Sequence, residues 1–407
     1  MIVIRHVTTI PTRTKLMHRH GSVVSALLAD GSLYKWTDGD REPISPKICV
    51  ESVAMVASYL DTQIILTHSN QVLYSKLSDN KIIHITWLIE RRLGDNLTEP
   101  ITEIYMYKRL LVARAGNRIC IIHLTPPTHS RPRGIPSKLH VFPGGIDLIS
   151  FGCHHGFIKT SDGLLYVTDG EDCSTFNSQM NIEPIDITDP HNIRDIVSGP
   201  LYSLFIMNDS SVQAYRRANT SKTGDISKGI QPLELCQTEN IAKVIPRDVN
   251  IFYITTEGAC YYHDVLSQIK HRSGIKHFPV QLKSLIGLDV ENVFDTNASF
   301  IVQNDAGKLC LLPKEQTDHG LDMDLEHVYG TKAPVPLPFF DDKSIVDITQ
   351  AHSCIYFTTS EGHVYQARSD RFIEELTAER IEFFDENPVA VNMPAPRLAS
   401  GRSCLDD

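Results

Sequence analysis

The stretch that decides the fold is Asp147–Asp169, which reads DLISFGCHHGFIKTSDGLLYVTD. An apolar run precedes the dipeptide Asp162-Gly163, and Leu165-Tyr166 follows after one spacer. Glycine adopts the positive φ that a tight hairpin turn requires. Two short apolar runs on either side of Asp-Gly therefore predict a β-hairpin with a two-residue turn.

The same hairpin pattern returns eight times along the chain. The smallest step between turn residues is 40 positions, from Gly31 to Gln71, and the largest is 55 positions, from Gly307 to Gly362. Self-similarity at a fixed period of roughly 20–50 residues is typical of propellers and solenoids. The aligned turn residues are Gly31, Gln71, Asn117, Gly163, Ser210, Gly258, Gly307 and Gly362. Because Gln71 and Ser210 are poorly suited to positive φ, we expect longer or distorted turns at these two positions.

A further strand is predicted before each hairpin. Six copies place an apolar residue 14 positions before the turn residue, namely Met17, Ile149, Ile196, Val244, Val293 and Ile348. A weaker outer strand, such as Arg380–Phe384, follows the hairpin. Three or four antiparallel strands per repeat predict an all-β propeller of seven or eight blades, each of about four antiparallel strands. We expect Met1–Ile10 to supply a closing strand, and Phe372–Glu379 is the best helix candidate.

Length and composition fit one large domain. The chain has 407 residues, of which 42% are hydrophobic, enough for a full core. We predict a single propeller domain over residues 1–386. Residues 387–407 contain three Pro and no periodic apolar pattern, so we expect a disordered tail there.

Charge and cysteine usage narrow the class of partner. The net charge of −10 argues against nucleic acid as the main ligand, because phosphate contacts need a basic surface. The nine Cys contain no CxxC pair and are predicted to be reduced core residues.

The sequence also bears on membrane insertion and localisation. The chain has no apolar run of 18 residues, so membrane insertion is not expected. Arg5 and His6 interrupt the start of the apolar core that a signal peptide requires. We expect an intracellular protein, cytoplasmic or nuclear.

Three segments resemble a known repeat. Asp147–Asp169, Ile345–Asp370 and Gly21–Trp36 are similar to the regulator of chromosome condensation repeat, in which Asp-Gly is followed by an apolar residue and Tyr. The similarity covers roughly residues 15 to 370. The resemblance implies a β-propeller, commonly of seven blades, that acts through protein partners. It also implies guanine-nucleotide exchange on a Ran-like small GTPase.

Candidate binding residues cluster in two kinds of segment. Histidines occur on the first strand of the first repeat and in the equivalent loops of the fourth and eighth repeats. Two arginines occur in the Pro-rich segment Thr125–Pro136. We interpret the histidines as polar residues at the mouth of the ring, since they lack the spacing and carboxylate partner of a zinc site. The candidate partner-binding residues are His18, His20, His154, His155, His352, Arg131 and Arg133.

Three functions are consistent with these observations. The leading one is a non-catalytic scaffold for protein–protein interaction, because a propeller presents loops on a wide disc and fold alone does not fix the ligand. The second is the exchange factor that the resemblance implies. The third is an enzyme with its active site in the central channel, for which no nucleophile, base and orienting residue can be assembled. We expect a monomer that needs no cofactor and no metal ion.

Overall fold

The computed structural model describes strands, turns and two helices across the repeat region. The described residues are 10–11, 22–28, 31–37, 53–59, 62–76, 82–93, 99–107, 110–124, 137–151, 155–169, 182–185, 189–198, 202–209, 211–217, 230–233, 241–247, 250–264, 280–296, 299–313, 333–350, 354–368 and 372–382.

The described strands form one three-stranded and seven four-stranded antiparallel sheets, in each of which the strands follow chain order from one edge to the other. Sheets 1 to 4 contain β1 (Ile10–Pro11), β2 (Ser22–Leu27), β3 (Leu33–Thr37); β4 (Val53–Tyr59), β5 (Thr62–Thr67), β6 (Val72–Lys76), β7 (Ile82–His84); β8 (Glu103–Tyr107), β9 (Leu110–Ala115), β10 (Arg118–His123), β11 (Ser137–Val141); and β12 (Ile146–Phe151), β13 (His155–Thr160), β14 (Leu165–Asp169), β15 (Ile182–Pro184).

Sheets 5 to 8 contain β16 (Ile193–Ser198), β17 (Tyr202–Met207), β18 (Val212–Arg217), β19 (Ile230–Leu233); β20 (Ile241–Arg247), β21 (Asn250–Thr255), β22 (Cys260–Asp264), β23 (Val280–Gln281); β24 (Val290–Asp295), β25 (Ser299–Asn304), β26 (Leu309–Pro313), β27 (Val335–Pro336); and β28 (Ile345–Gln350), β29 (Cys354–Thr359), β30 (Val364–Arg368), β31 (Glu379–Arg380). The eight predicted hairpins are therefore eight sheets. The number of blades that close the ring stays a prediction.

The sheets pack face to face, as the blades of a propeller do. Strand β25 shows how: Phe300 and Val302 belong to an apolar cluster shared with sheet 6, while Ile301 belongs to a cluster shared with sheet 8. Because neighbouring side chains of a strand point to opposite faces, each strand feeds two interfaces. Apolar clusters of this kind join every pair of consecutive sheets from the first to the eighth. The structure is an all-β propeller, as predicted.

The first strand and the last helix differ in extent from the prediction. The predicted strand around Met17 lies outside the described residues, and the described strand that pairs with β2 is β1 at Ile10–Pro11. The predicted helix at Phe372–Glu379 begins where expected but ends at Glu375. A second helix, Thr86–Leu93, has no counterpart in the sequence prediction. We name these helices α1 (Thr86–Leu93) and α2 (Phe372–Glu375).

Six of the hairpin turns share one geometry, which differs from the predicted two-residue turn. In sheet 4, the N–H of Thr160 donates to the carbonyl of Leu164 at 2.9 Å, and the N–H of Gly163 donates to the carbonyl of Thr160 at 3.0 Å. This is a three-residue loop that ends in a left-handed residue, and Gly163 has φ +85°. The same pair of hydrogen bonds recurs in the turns that begin at Leu28, Thr67, Thr255, Asn304 and Thr359.

Two predicted turn residues are one position out of register. The left-handed residue of sheet 2 is Asn70, with φ 62°, and not Gln71, so the turn there is regular and not distorted. In sheet 3 it is Gly116, with φ 54°, and Arg118 pairs with Ala115, which leaves a two-residue loop. Ser210 lies outside the described residues.

A side chain fixes five of these turns. The side chain of the first residue of the turn accepts a hydrogen bond from the backbone N–H four positions later. The left-handed residue directs this N–H away from the hydrogen bonds between the strands, so the side chain satisfies it. The acceptor–donor pairs are Thr67–Gln71 (3.0 Å), Thr160–Leu164 (3.1 Å), Thr255–Ala259 (3.1 Å), Asn304–Lys308 (2.8 Å) and Thr359–His363 (3.1 Å).

Consecutive sheets are also joined by a polar clasp. A long side chain at the residue before the turn reaches the carbonyl oxygen of the first residue of the next sheet, where that sheet's first strand shifts register. The three clasps are Arg114 Nη2 to Ile146 O, Lys159 Nζ to Ile193 O and Gln303 Nε2 to Ile345 O, each 2.8 Å long.

Candidate protein-interaction surface

One of the seven predicted binding residues lies within the described part of the chain. His155 is the first residue of β13, and its Cα lies opposite that of Asp169 at the end of β14. The other six lie outside the described residues: His18, His20, His154, His352, Arg131 and Arg133.

The strand ends that flank these positions nevertheless lie on one side of the sheets. In a sheet whose antiparallel strands follow chain order, the end of the first strand, the start of the second and the end of the third share one edge of the blade. Positions 18 and 20 fall between β1 and β2, 154 between β12 and β13, and 352 between β28 and β29. Positions 131 and 133 fall in the sequence between β10 and β11, and the end of β10 lies at this same edge of its sheet. The joint use of these residues stays a prediction.

Neither a metal-binding cluster nor a membrane-spanning helix is found among the described residues. Among them, no group of three or more His, Cys, Asp and Glu side chains comes close enough to hold a metal ion. None of their helices is long and apolar enough to cross a lipid bilayer. The four described cysteines form no disulfide bond: Cys120, Cys260 and Cys354 are buried and Cys310 is half-buried.

Helix α1 breaks the repeat at the junction of sheets 2 and 3. After β7 the chain stays attached to sheet 2, because Ile85 N–H donates to Val72 O at 2.9 Å and Val72 N–H donates to Thr86 Oγ1 at 2.8 Å. The described connections into sheets 5, 7 and 8 instead hold single 3-10 turns, at Pro190–Asn192, Lys283–Leu285 and Pro338–Phe340. A departure from an otherwise regular repeat is where a specific function is most readily added.

Tertiary packing holds α1 in place. Leu88, Ile89 and Leu93 are buried in the apolar cluster that joins sheets 2 and 3. The helix also ends on a hydrogen bond, since Arg118 Nη1 donates 2.9 Å to the carbonyl oxygen of Leu93. That bond satisfies one of the carbonyl groups that the last turn of a helix leaves open. The helix therefore fills the wedge between the two sheets.

Large apolar side chains are exposed around this wedge. Eight such side chains are exposed among the described residues, and four of them belong to β7, α1 and β11: Ile83 (41%), Trp87 (58%), Leu139 (40%) and Val141 (53%). Single exposed apolar residues are normal on a soluble protein. Four of the eight lie on elements that meet at one junction, and grouped exposed apolar side chains are typical of a binding surface.

Strand register shows that three of these side chains face the same wedge. Ile83 pairs with Tyr74, which packs against the cluster that holds α1. Leu139 pairs with Cys120, which is buried in that cluster. Val141 pairs with Arg118, the residue that caps α1. Residues directly opposite each other lie on the same face of a sheet. We call the surface formed by Ile83, Trp87, Leu139 and Val141, with Arg91 and Arg92, the rim groove.

The rim groove is basic in an acidic protein. Arg91 and Arg92 are exposed in the last turn of α1, and Glu90 is the one acid of the helix. Burial raises the pKa of the Cys120 thiol to about 12, while the positive charge of Arg92 acts on this pKa in the opposite direction. Arginines also complement the negative end of the helix dipole, so part of their role is structural.

The hairpin turns lie at the same end of the sheets as α1, and their charge differs from one sheet to another: the turns of sheets 4 to 8 are acidic, whereas the turns of sheets 2 and 3, which flank α1, contain no acid. Acidic side chains occupy the turns of five sheets, at Asp162, Asp209, Glu257, Asp305 and Glu361. At one of them, hydrogen bonds from the side chain and backbone of Ser211 hold the pKa of Asp209 below its usual value. This carboxylate is therefore ionised at neutral pH, and the acidic turns of sheets 4 to 8 repel acidic partners.

Sequence reasoning missed the rim groove. The segment Thr86–Leu93 reads TWLIERRL, and its Trp87 is one of only two tryptophans in the chain. A tryptophan beside two arginines in a short amphipathic segment was the available signal, because these residue types are enriched at binding hot spots.

Comparison with known proteins found solved structures of similar fold. No protein-family model and no curated protein sequence matches the chain. The structure is similar to solved β-propellers. Prp20p, the RCC1 of Saccharomyces cerevisiae, matches with 8% identity over 81% of this chain and 76% of that chain, at a TM-score of 0.42. Human WBSCR16 matches with 11% identity over 74% and 86%, at 0.43. Hsv2 of Kluyveromyces lactis matches with 10% identity over 76% and 92%, at 0.44.

Proposed function

We propose that this chain is a non-catalytic propeller scaffold that holds a partner protein at the rim groove. The observation that carries the proposal is Trp87, 58% exposed on a helix inserted between two sheets of an otherwise regular repeat. An exposed tryptophan costs solubility unless a partner covers it, and truncating such an anchor commonly removes roughly 2 kcal/mol or more of binding energy.

The surrounding packing suits a rigid binding site. Leu93 and Ile89 are fully buried beneath the helix, so Trp87 is presented on a backbone whose position is fixed. A side chain held in this way loses little further freedom on binding, which lowers the entropic cost of association. The propeller sheets supply the stability of the site, and α1 supplies the proposed contact with the partner protein.

A site-specific crosslinking experiment tests the proposal. Trp87 is replaced by a photoreactive phenylalanine analogue, and the purified protein is illuminated in an extract of its own source cells. Ile286 is the matched control, because it is 64% exposed in the connection between sheets 6 and 7. A discrete protein adduct from position 87 and none from position 286 supports the proposal. Equal adducts from both positions, or none from position 87, contradict it.

The repeat resemblance adds a narrower hypothesis about the partner. It suggests a Ran-like small GTPase whose nucleotide release the propeller accelerates, and such exchange needs no nucleophilic side chain. The test is the release of fluorescent GDP from a panel of small GTPases that includes Ran. Acceleration that Trp87→Ala abolishes would identify the GTPase as the partner at the rim groove. No acceleration of any member would leave the general scaffold as the proposed function.

A further inference from the structure

We infer that the rim groove binds a linear segment of a partner protein in which apolar residues are flanked by Asp and Glu. The inference rests on the proposed function and specifies the chemistry of its partner. The groove combines an apolar row with exposed guanidinium groups, and each part selects one property of the ligand.

The apolar row selects the side chains that enter the groove. Leu139 and Val141 are two residues apart on one face of β11, so their side chains are separated by about 7 Å. Ile83 lies on the face of β7 that is directed toward the apolar cluster in which α1 is also buried. Such a row accepts two or three aliphatic or aromatic side chains of a short segment, because α1 is only about 12 Å long.

The arginines select the charge of the flanking residues. Arg91 and Arg92 are exposed and carry a permanent positive charge. A guanidinium group binds a carboxylate through two parallel hydrogen bonds, a geometry that lysine cannot reproduce. Guanidinium also binds phosphate, and a base could stack on Trp87, but the other three apolar side chains, Ile83, Leu139 and Val141, are aliphatic and offer no stacking face. Three aliphatic side chains beside one aromatic side chain favour an acidic peptide with apolar residues over a nucleic acid.

The charge of the rest of the chain directs such a partner to the groove. The whole protein has a net charge of −10, and the hairpin turns of sheets 4 to 8 carry one acid each, whereas the turns of sheets 2 and 3 beside α1 carry none. An acidic segment is repelled by those surfaces and attracted to the basic one, which adds specificity and speeds association.

Fluorescence anisotropy with defined probes tests the inference on the full chain. The probe is a fluorescein-labelled peptide of sequence DDELDLFDLEDD. One control peptide has every acid replaced by Lys, and another has every apolar residue replaced by Ser. We expect the first probe alone to bind, with a Kd that rises steeply as the salt concentration is raised.

Matched variants distinguish binding at the rim groove from attraction by the overall charge of the protein. Trp87→Ala should weaken binding about tenfold or more, and Ile286→Ala, which removes a similarly exposed apolar side chain elsewhere, should leave it unchanged. Arg91→Gln/Arg92→Gln should weaken binding about tenfold. Arg194→Gln/Lys308→Gln removes the same charge from exposed positions in sheets 5 and 7, and should leave binding within twofold.

Several results would overturn the inference. Equal binding of the Lys-containing peptide, or equal losses in the groove and control variants, would show that recognition is not by these arginines. A single-stranded oligonucleotide that displaces the peptide and depends on Trp87 would make nucleic acid the ligand. A dimer in light scattering that Trp87→Ala converts to a monomer would make a second copy the occupant. Failure of the acidic probe beside a clear adduct from position 87 overturns this inference alone, while absence of both overturns the proposed function as well.

Discussion

The contact between a turn glycine and the next sheet makes a sharp prediction about stability. Gly163 has φ +85°, and a Cβ built on it would lie 2.0 Å from Cε1 of His191. Gly163→Ala therefore carries two costs. A left-handed backbone disfavours Ala by roughly 1–2 kcal/mol, and the imidazole must be displaced. Because the ring of His191 lies near the surface and can swing away, we assign about 1 kcal/mol to this second cost.

Gly307 provides a matched control for the backbone cost. It occupies the same position of the same turn, with φ +77°, and no heavy atom lies within 4 Å of the position that an added Cβ would take. Gly307→Ala should therefore lower the free energy of unfolding by roughly 1–2 kcal/mol. Gly163→Ala should lower it by roughly 2–3 kcal/mol. In Gly163→Ala/His191→Ala the difference should disappear.

Urea unfolding followed by circular dichroism measures all of these variants under one condition, and the double-mutant cycle isolates the contact. Equal losses for the two glycine variants, with no recovery on removing His191, would refute the contact between sheets 4 and 5. Unchanged unfolding of Gly307→Ala would refute the larger claim that the turn requires a left-handed residue.

Three further predictions follow from other contacts. Lys159→Met removes the clasp to Ile193 O and should lower the free energy of unfolding by roughly 1–2 kcal/mol in the same urea assay. Thr255→Val leaves the N–H of Ala259 without its side-chain acceptor and should cost about 1 kcal/mol, whereas Thr255→Ser should cost less. Burial raises the pKa of the Cys260 thiol to about 12, above its unfolded value, so stability from this group is present below about pH 9 and lost as pH rises toward 12. The thiol of Cys260 should accordingly resist iodoacetamide at pH 8 until urea unfolds the chain, as mass spectrometry of the alkylated peptide would show.

Sequence alone located the blades because their signals are local. A turn glycine with an apolar run on each side predicts the two strands that flank it. The repetition of this pattern at a fixed period then predicts the propeller architecture. The same locality explains the errors in register. Gln71 and Asn117 align with the other turns by their distance from the following apolar residue, whereas the hydrogen bonds place the left-handed residue at Asn70 and Gly116. The recurring threonine that opens four of the turns would have corrected the first of these.

Helix α1 and the rim groove escape sequence reasoning for a different reason. Thr86–Leu93 has only eight residues, which is too short for a helix to be stable from its own propensity. Its three buried side chains share an apolar cluster with residues from two sheets, including Leu66 and Leu111, which are far apart in sequence. The exposed row on β11 is likewise visible only after register has paired Leu139 with Cys120. Both features depend on tertiary packing, which no local pattern reports.

The clasps between sheets show why this propeller repeats in geometry more than in residues. Arg114, Lys159 and Gln303 occupy equivalent positions and reach equivalent carbonyl oxygens at the same distance, yet they differ in shape, and Gln303 is uncharged where the other two are cationic. What the site demands is a donor long enough to cross to the next sheet, because a register shift leaves that carbonyl facing the junction. Such a requirement constrains the length of the side chain and its capacity to donate a hydrogen bond, but not which amino acid supplies it. Positions under such loose constraint can diverge while the blades stay in place, so the functional residues are best sought where the geometry itself departs from the repeat, as it does at α1.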